Sequence, residues 1–196
     1  MSASQGDQQA AGASARPGGR LAVFLDRDGV LTEPIVRGGV AYAPTRVEDF
    51  VLVSDAGAQV QRLRDAGFLC IVFTNQPERQ KDLLSQADLD EMHRQMRAAI
   101  LSLDDVYVCP HDGTTVCRCR KPATGMIDDA AARWGIDVAA SYVIGDRWRD
   151  VDAGRAAGCY SILIERSYSV DAQADARVAT LGEAVDAVLR HRQGLS

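Results

Sequence analysis

A three-layer α/β architecture, one parallel sheet between two layers of helices, is predicted by three features of this chain. Short apolar runs alternate with segments of helical periodicity across residues 21–190, the pattern that right-handed crossovers and a parallel sheet require. The chain has 196 residues and is 46% hydrophobic, enough to bury one sizeable core in a single domain. Finally, nearly every residue with evident chemistry follows directly after a predicted strand, and open parallel sheets bind ligands beyond the carboxyl ends of their strands.

The strands are predicted at 21–25, 69–73, 106–108, 142–144 and 160–164, each a short run of branched or aromatic residues. The helices are predicted at 56–66, 86–103, 125–134, 150–157 and 181–190. In the second helix Leu89, Met92, Met96, Ile100 and Leu103 recur at three- and four-residue spacing, and Ser85 with Asp88 forms a capping box at its start. Gly67, Gly135 and Gly158 stand where a left-handed residue ends a helix. Residues 1–20 are rich in Ala, Gly, Ser and Gln. They carry too little apolar surface to offset the entropy of ordering and no apolar segment of a signal peptide, so a disordered N-terminal tail is expected.

Charge and composition narrow the function. The formal net charge is −5 and the isoelectric point near 5.2, which speaks against nucleic acid as a partner. No apolar run approaches the roughly 18–20 residues that span a bilayer, so no membrane association is expected. The five cysteines are an odd number; with no secretion signal, a reducing compartment (the cytoplasm) and thiolate–metal chemistry are expected rather than disulfides. Cys70 and Cys159 lie in apolar runs and read as core residues. His93, near Leu89 on the second helix, reads as structural, and His191 as a solvated residue of the C-terminal tail.

The other three cysteines define the most informative stretch. Cys109, His111, Cys117 and Cys119 fall in the run Cys-Pro-His-Asp-Gly-Thr-Thr-Val-Cys-Arg-Cys-Arg-Lys-Pro. Four such ligands within a short loop suit a closed tetrahedral zinc site of the structural kind, and a loop without a core of its own would gain order from the metal. The loop, 109–121, ends at Arg120 and Lys121, so zinc would fix where two cations point.

Carboxylates supply the complement. Asp26 and Asp28 are two residues apart at a strand exit and can start on the same side of the backbone. One could attack phosphorus while the other protonates the leaving oxygen, although Asp28-Gly29 is also a common turn pair. Asp146 and Asp150 follow another strand; Asp150 alone would read as a helix N-cap, but with Asp26 the set suits Mg²⁺, which prefers oxygen ligands. Lys121 would offset phosphate charge, Thr74 and Asn75 would donate to phosphoryl oxygens, and Arg120 and Arg147 would hold the substrate. A small phosphorylated molecule is the expected partner.

These residues resemble, in order, the four signatures of the haloacid dehalogenase (HAD) superfamily of phosphatases: Asp26-Arg-Asp28-Gly-Val, Thr74-Asn75, Lys121, and Gly145-Asp146 with Asp150. The zinc loop and Cys119-Arg120-Lys121-Pro122 further resemble subfamily IIIA, which holds the heptose 1,7-bisphosphate 7-phosphatases and the histidinol-phosphatases. The resemblance implies a Rossmann-like sheet without a large cap. It implies Asp26 as the nucleophile that becomes aspartyl-phosphate and Asp28 as general acid, then base. It implies Mg²⁺ on Asp26, Asp146 and the backbone carbonyl of Asp28, with Asp150 behind them. Residues 30–48 and the zinc loop would wall the site, and a capless enzyme is expected to be a monomer.

Lys121-Pro-Ala-Thr-Gly-Met126 and Tyr42-Ala-Pro-Thr-Arg-Val-Glu-Asp-Phe50 are similar to the heptose group, which favours a heptose bisphosphate as substrate. After Thr74-Asn75-Gln76, however, that group continues Ser-Gly-Ile-Ala-Arg-Gly, whereas this chain has Pro77-Glu-Arg-Gln-Lys-Asp82. The glycines that admit a phosphate close to the backbone are absent, and Arg79 is the candidate to replace the missing arginine. Three other readings remain open on the residues: histidinol phosphate as substrate, a phospho-accepting receiver module, and a zinc-finger nucleic-acid module.

Overall fold

The structure is a computed structural model and describes residues 18–170 and 172–194. Thirteen elements follow in chain order: β1 (Ala22–Leu25), β2 (Ile35–Arg37), β3 (Val40–Tyr42), α1 (Ala56–Asp65), β4 (Leu69–Asn75), α2 (Gln86–Ala99), β5 (Asp105–Cys109), α3 (Gly125–Trp134), β6 (Tyr142–Gly145), α4 (Trp148–Ala157), β7 (Tyr160–Ile164), β8 (Ala176–Val178) and α5 (Leu181–Arg192). Six strands form one sheet in the order β5-β4-β1-β6-β7-β8, parallel at every pairing. The expected three-layer parallel fold is therefore present.

Strand alternation sorts the core into two halves. Val23, Leu25, Cys70, Val72 and Ile144 face one way, against Val60 and Leu63 of α1, Met92 and Met96 of α2, and Val185 and Val188 of α5. Ala22, Phe24, Ile71, Phe73 and Val143 face the other, against Met126, Ile127 and Ala130 of α3 and Ala153 of α4. Because side chains alternate at a period of two, a sheet covered on both faces needs strands apolar throughout, and β1 is wholly buried. Burial pushes the thiols of the core residues Cys70 and Cys159 up to about 12, which leaves them inert as small apolar fillers.

The chain leaves β1 towards β4 and β5, then crosses back to β6 on β1's other side. That reversal opens a crevice at the carboxyl ends of β1, β4 and β6, and the site lies there. The end of α4 is held close to the sheet by Gly154, where an added Cβ would lie 2.5 Å from Ser161 Oγ and 2.8 Å from Val143 Cβ.

Several expectations need correction. Helix α2 stops at Ala99 rather than residue 103; Ile100 donates to Met96 O at 2.8 Å, and Ile100 and Leu103 stay buried through the following turn, so their spacing outlived the helix. The hairpin β2–β3 turns on Gly38 and Gly39 at φ +58° and +78°. This is the two-residue glycine turn that favours hairpins, a signal passed over because its strands are three residues long. The edge strand β8 was also missed. His191 is not in a solvated tail: it lies in α5, half-buried, with its ring 4.0 Å from that of Tyr160 and Nδ1 3.0 Å from Tyr142 Oη. The tail expected over 1–20 lies mostly outside the described residues; its last residue, Arg20, donates to Gly135 O at 2.9 Å.

Gly154→Ala should destabilise the protein in urea denaturation. The gain in helix propensity, about 1 kcal/mol, is outweighed by overpacking at two sub-contact distances, typically 1–3 kcal/mol and here at the upper end.

Candidate active site

Asp26 extends β1 by one residue, its N–H donating to Ile144 O at 2.9 Å. The chain then turns sharply, with Leu31 and Thr32 N–H both donating to Arg27 O. The turn needs glycine at position 29: φ is +88° and a Cβ would lie 2.1 Å from Asp146 Oδ2. From β6, Gly145 delivers Asp146, and the first turn of α4 delivers Asp150. Asp150 accepts from Arg147 N–H at 3.0 Å, so it does cap the helix, but its other oxygen is used elsewhere.

Lys121 sits at the centre, 2% exposed. Its ammonium donates to Asp26 Oδ1 at 2.8 Å and Phe73 O at 2.9 Å. It also lies 2.6 Å from Asp150 Oδ1 as an ion pair. Burial alone would lower its pKa, but Asp150 and Asp26 outweigh that and hold it above the ordinary lysine value. Asn75 secures the lysine's backbone from both ends of its amide, accepting from Lys121 N–H at 3.1 Å and donating to Lys121 O at 3.2 Å.

Among the described residues two groups could hold a metal ion. Asp26, Asp146 and Asp150 can each place an oxygen within 4.8 Å of the others. Asp146 Oδ1 is buried with no hydrogen-bond partner, while Oδ2 accepts from Tyr168 Oη at 2.5 Å. Burial, with Asp26 and Asp150 nearby, pushes Asp146 up to about 8. Asp26 is pushed to about 6, chiefly by burial, with Lys121 opposing. An orphaned buried carboxylate oxygen beside a second carboxylate fits a hard divalent cation. The side chain of Asp28 is not part of this group; it points into a different network, described below, and Asp150 takes the third place.

In the other group, Cys109 Sγ lies 3.4 Å from His111 Nδ1, 3.8 Å from Cys117 Sγ and 3.1 Å from Cys119 Sγ, and Cys119 Sγ is 3.3 Å from His111 Nδ1. Zn–S bonds of ~2.3 Å in a tetrahedron imply S···S edges of ~3.8 Å, so the donor set fits zinc. Arg120, just after the last thiol, donates to His111 O at 2.6 Å.

One pocket joins these parts, lined by Asp26, Asp28, Asn75, Lys121 and Asp150, by Arg120, Arg147 and Arg149, by Ala41–Ala43 of the hairpin, and by Pro77 and Glu78. The structure thus brings together Asp26, Asp28, Asn75, Arg120, Lys121 and Arg147 as lining, with Thr74 and Asp146 buried directly behind. Arg79 is not among them: its guanidinium is taken by Leu84 O and by Gln86 Oε1. Sequence reasoning missed Arg149, a third guanidinium at the pocket. It also missed Tyr168, which lies on a loop with no motif, and the hydrogen-bonding roles of Arg27 and Gln76, which sat within the quoted motifs.

Asp28 is held by a compact network. Arg27 is fully buried and donates to Asp28 through Nε at 2.9 Å and Nη2 at 2.8 Å. Gln76 Nε2 donates to Asp28 Oδ2 at 2.7 Å and to Thr74 Oγ1 at 2.8 Å, and Gln76 Oε1 accepts from Arg27 Nη2 at 2.9 Å.

A parallel α/β sheet whose crevice combines a buried lysine with a cluster of carboxylates suited to a divalent cation defines a protein built to handle phosphate esters. The HAD-hydrolase-like family matches residues 118–189. Curated D-glycero-D-manno-heptose-1,7-bisphosphate 7-phosphatases are similar along most of the chain. The protein of Thermosynechococcus vestitus is 34% identical, covering 88% of this chain and 97% of its own. That of Haemophilus ducreyi is 30% identical, covering 87% and 97%. The crystal structure of the B. bronchiseptica D,D-heptose 1,7-bisphosphate phosphatase, complexed with magnesium and phosphate, superposes with a TM-score of 0.76 at 25% identity over 87% of this chain and 99% of that one. The chain belongs to the haloacid dehalogenase superfamily of phosphatases, and it is a phosphatase acting on a small phosphorylated substrate.

The raised pKa values have a stability consequence. Asp146 binds its proton more tightly folded than unfolded, so its contribution to stability is complete below about 4 and is lost as pH rises towards about 8. Metal-free protein should therefore melt lower at pH 8.5 than at pH 7. Added Mg²⁺ should raise the melting temperature more at the higher pH, as read by differential scanning calorimetry.

Proposed function

We propose that this enzyme removes the 7-phosphate of D-glycero-D-manno-heptose 1,7-bisphosphate, using Mg²⁺ and an aspartyl-phosphate on Asp26. The observation that carries the reading is similarity to curated enzymes of that name over nearly their whole length. The convergence of Asp26 and Lys121 on one pocket, with Asp146 clustered beside Asp26 behind its wall, supports it.

In this reading Asp26 attacks phosphorus while Asp28 passes a proton to the departing sugar oxygen; Asp28 then takes a proton from the water that cleaves the acyl phosphate. Thr74 and Lys121 steady the transferring phosphoryl group, and Asn75 lines the pocket while holding the lysine's backbone. Arg120 and Arg147 hold the rest of the substrate. Asp26, Asp146 and the backbone carbonyl of Asp28 would hold Mg²⁺, with Asp150 behind them. The bound ion would neutralise charge on the phosphoryl oxygens. Cys109, His111, Cys117 and Cys119 would hold a structural zinc.

We read residues 21–190 as one catalytic domain behind an N-terminal tail, monomeric and cytoplasmic, with neither nucleic acid nor membrane as partner. Free cysteines throughout the described chain suit a reducing compartment, and among the described residues no helix is long and apolar enough to cross a membrane.

A second reading rests on Glu78, which lines the pocket with Oε2 buried and unpartnered. A carboxylate there suits a substrate bearing an amine, as histidinol phosphate does.

A panel of phosphorylated metabolites tests both readings. Heptose 1,7-bisphosphate should give the highest kcat/KM, and a preference for histidinol phosphate would replace it. Asp26→Asn should lower kcat by at least about a thousandfold, since the nucleophile is lost; near-normal turnover would remove Asp26 from that role. Metal analysis should return about one zinc per chain. Cys117→Ser should lower both zinc content and melting temperature, because the loop has little else to order it.

A further inference from the structure

The network around Asp28 reaches farther than the pocket. Arg27 presents one edge of its guanidinium, Nε and Nη2, to the Asp28 carboxylate and to Gln76, with Thr32 Oγ1 adding a longer contact to Asp28 Oδ1 at 3.3 Å. The opposite corner, Nη1, lies 3.3 Å from Nε2 of His93 on α2, and the ring of Phe50 lies 5.4 Å from the guanidinium carbon. A guanidinium carries no acceptor, so the imidazole must accept there, with its own proton on Nδ1. Burial, and secondarily Arg27 itself, push His93 down to about 4, so the neutral form that this contact requires is the one present at neutral pH.

We propose that His93 is a positioning residue for the phosphatase reaction: by accepting from Arg27 Nη1 it fixes the plane of the guanidinium, which in turn sets the Asp28 carboxylate at the departing oxygen. Three things support this. Arg27 is wholly buried in the turn after β1, and besides the Asp28 carboxylate that it holds, its guanidinium meets Gln76 Oε1 and His93 Nε2, so these two set its orientation from outside the turn. His93 is only half-buried, on a helix that is otherwise anchored by Leu89, Met92 and Met96, so the fold does not need its ring. The pocket is walled by a two-stranded ribbon and loops, and a site without a closing cap has to keep its acid–base group in place by fixed contacts. Proximity of this kind is costly to lose, since a displacement of about 1 Å can lower a rate by about a hundredfold.

The inference rests on the phosphatase activity and on Asp28 as acid, and is independent of which sugar is hydrolysed. His93→Leu removes the acceptor with similar bulk, and His93→Gln restores an acceptor. The measurement is kcat/KM, which reports steps up to transfer of phosphorus to Asp26, for two substrates: the best alkyl phosphate of the panel, whose leaving oxygen needs a proton, and p-nitrophenyl phosphate, whose leaving group does not. His93→Leu should lower kcat/KM about tenfold for the alkyl ester and leave the aryl ester within twofold, with the loss in kcat rather than KM. His93→Gln should recover most of it. Equal losses on both esters, matched by a lower melting temperature, would make His93 merely structural and overturn the proposal. So would unchanged kinetics in His93→Leu, or failure of His93→Gln to recover activity when it melts normally.

Discussion

A single buried ammonium group holds the site together. Lys121 is almost completely excluded from water and lies between Asp26 and Asp150, which come from the end of β1 and the start of α4. Removing water from such charges is expensive, and the arrangement is tolerable only when the partners are close and the remaining donors are satisfied. Here the third donor reaches Phe73 O, at the end of β4. One side chain thus ties the carboxyl ends of two parallel strands and the first turn of α4 to the cysteine-rich loop, and removing either carboxylate would leave buried charge poorly compensated. The fold supplies the convergence, and the ion triplet sets its tolerance.

Around that centre each reactive group is held by a neighbour with a different task. Asp146 is fixed by Tyr168 on one oxygen while Ser169 Oγ donates to its carbonyl, and Arg166 donates to Gly29 O across the same turn. These three residues belong to one segment after β7, which carries no chemistry of its own. The opposite side is held by Gln76, which touches both Thr74 and Asp28. The raised pKa values of Asp26 and Asp146 follow from this crowding of carboxylates in a dry place, and a divalent cation is the natural means of relieving it.

Much of this was legible in the chain. The strands β1, β4, β6 and β7 could be read because they are short apolar runs, and the helix ends because Gly67, Gly135 and Gly158 take positive φ at the expected places. The members of both clusters, Cys109, His111, Cys117 and Cys119 in one and Asp26, Asp146 and Asp150 in the other, had been singled out in the chain, while the side chain of Asp28 lies outside the carboxylate cluster. What stayed hidden depends on distance in space. No local pattern announces that Tyr168 will meet Asp146 twenty-two residues away, or that His93 will meet Arg27. Arg149 and Arg79 illustrate the same limit from opposite sides. One arginine, inside the run from Gly145 to Asp150 but with no role read for it, lines the pocket, and another in a suggestive position turns away to satisfy the loop's own carbonyl. A helix boundary misread at 99 has the same origin, because burial continued after the hydrogen-bond ladder had ended.

The hairpin that forms the outer wall has little of its own to hold it: its strands are three residues each, and of their six side chains only Ala41 is buried. Its backbone is instead grasped from below, where Arg147 Nη2 donates to Ala41 O at 2.9 Å. An arginine that lines the pocket is therefore also the latch of the doorway. Aperture and affinity cannot be adjusted separately at this position: any residue that changes how strongly the entrance attracts an anion also changes how wide the entrance stands.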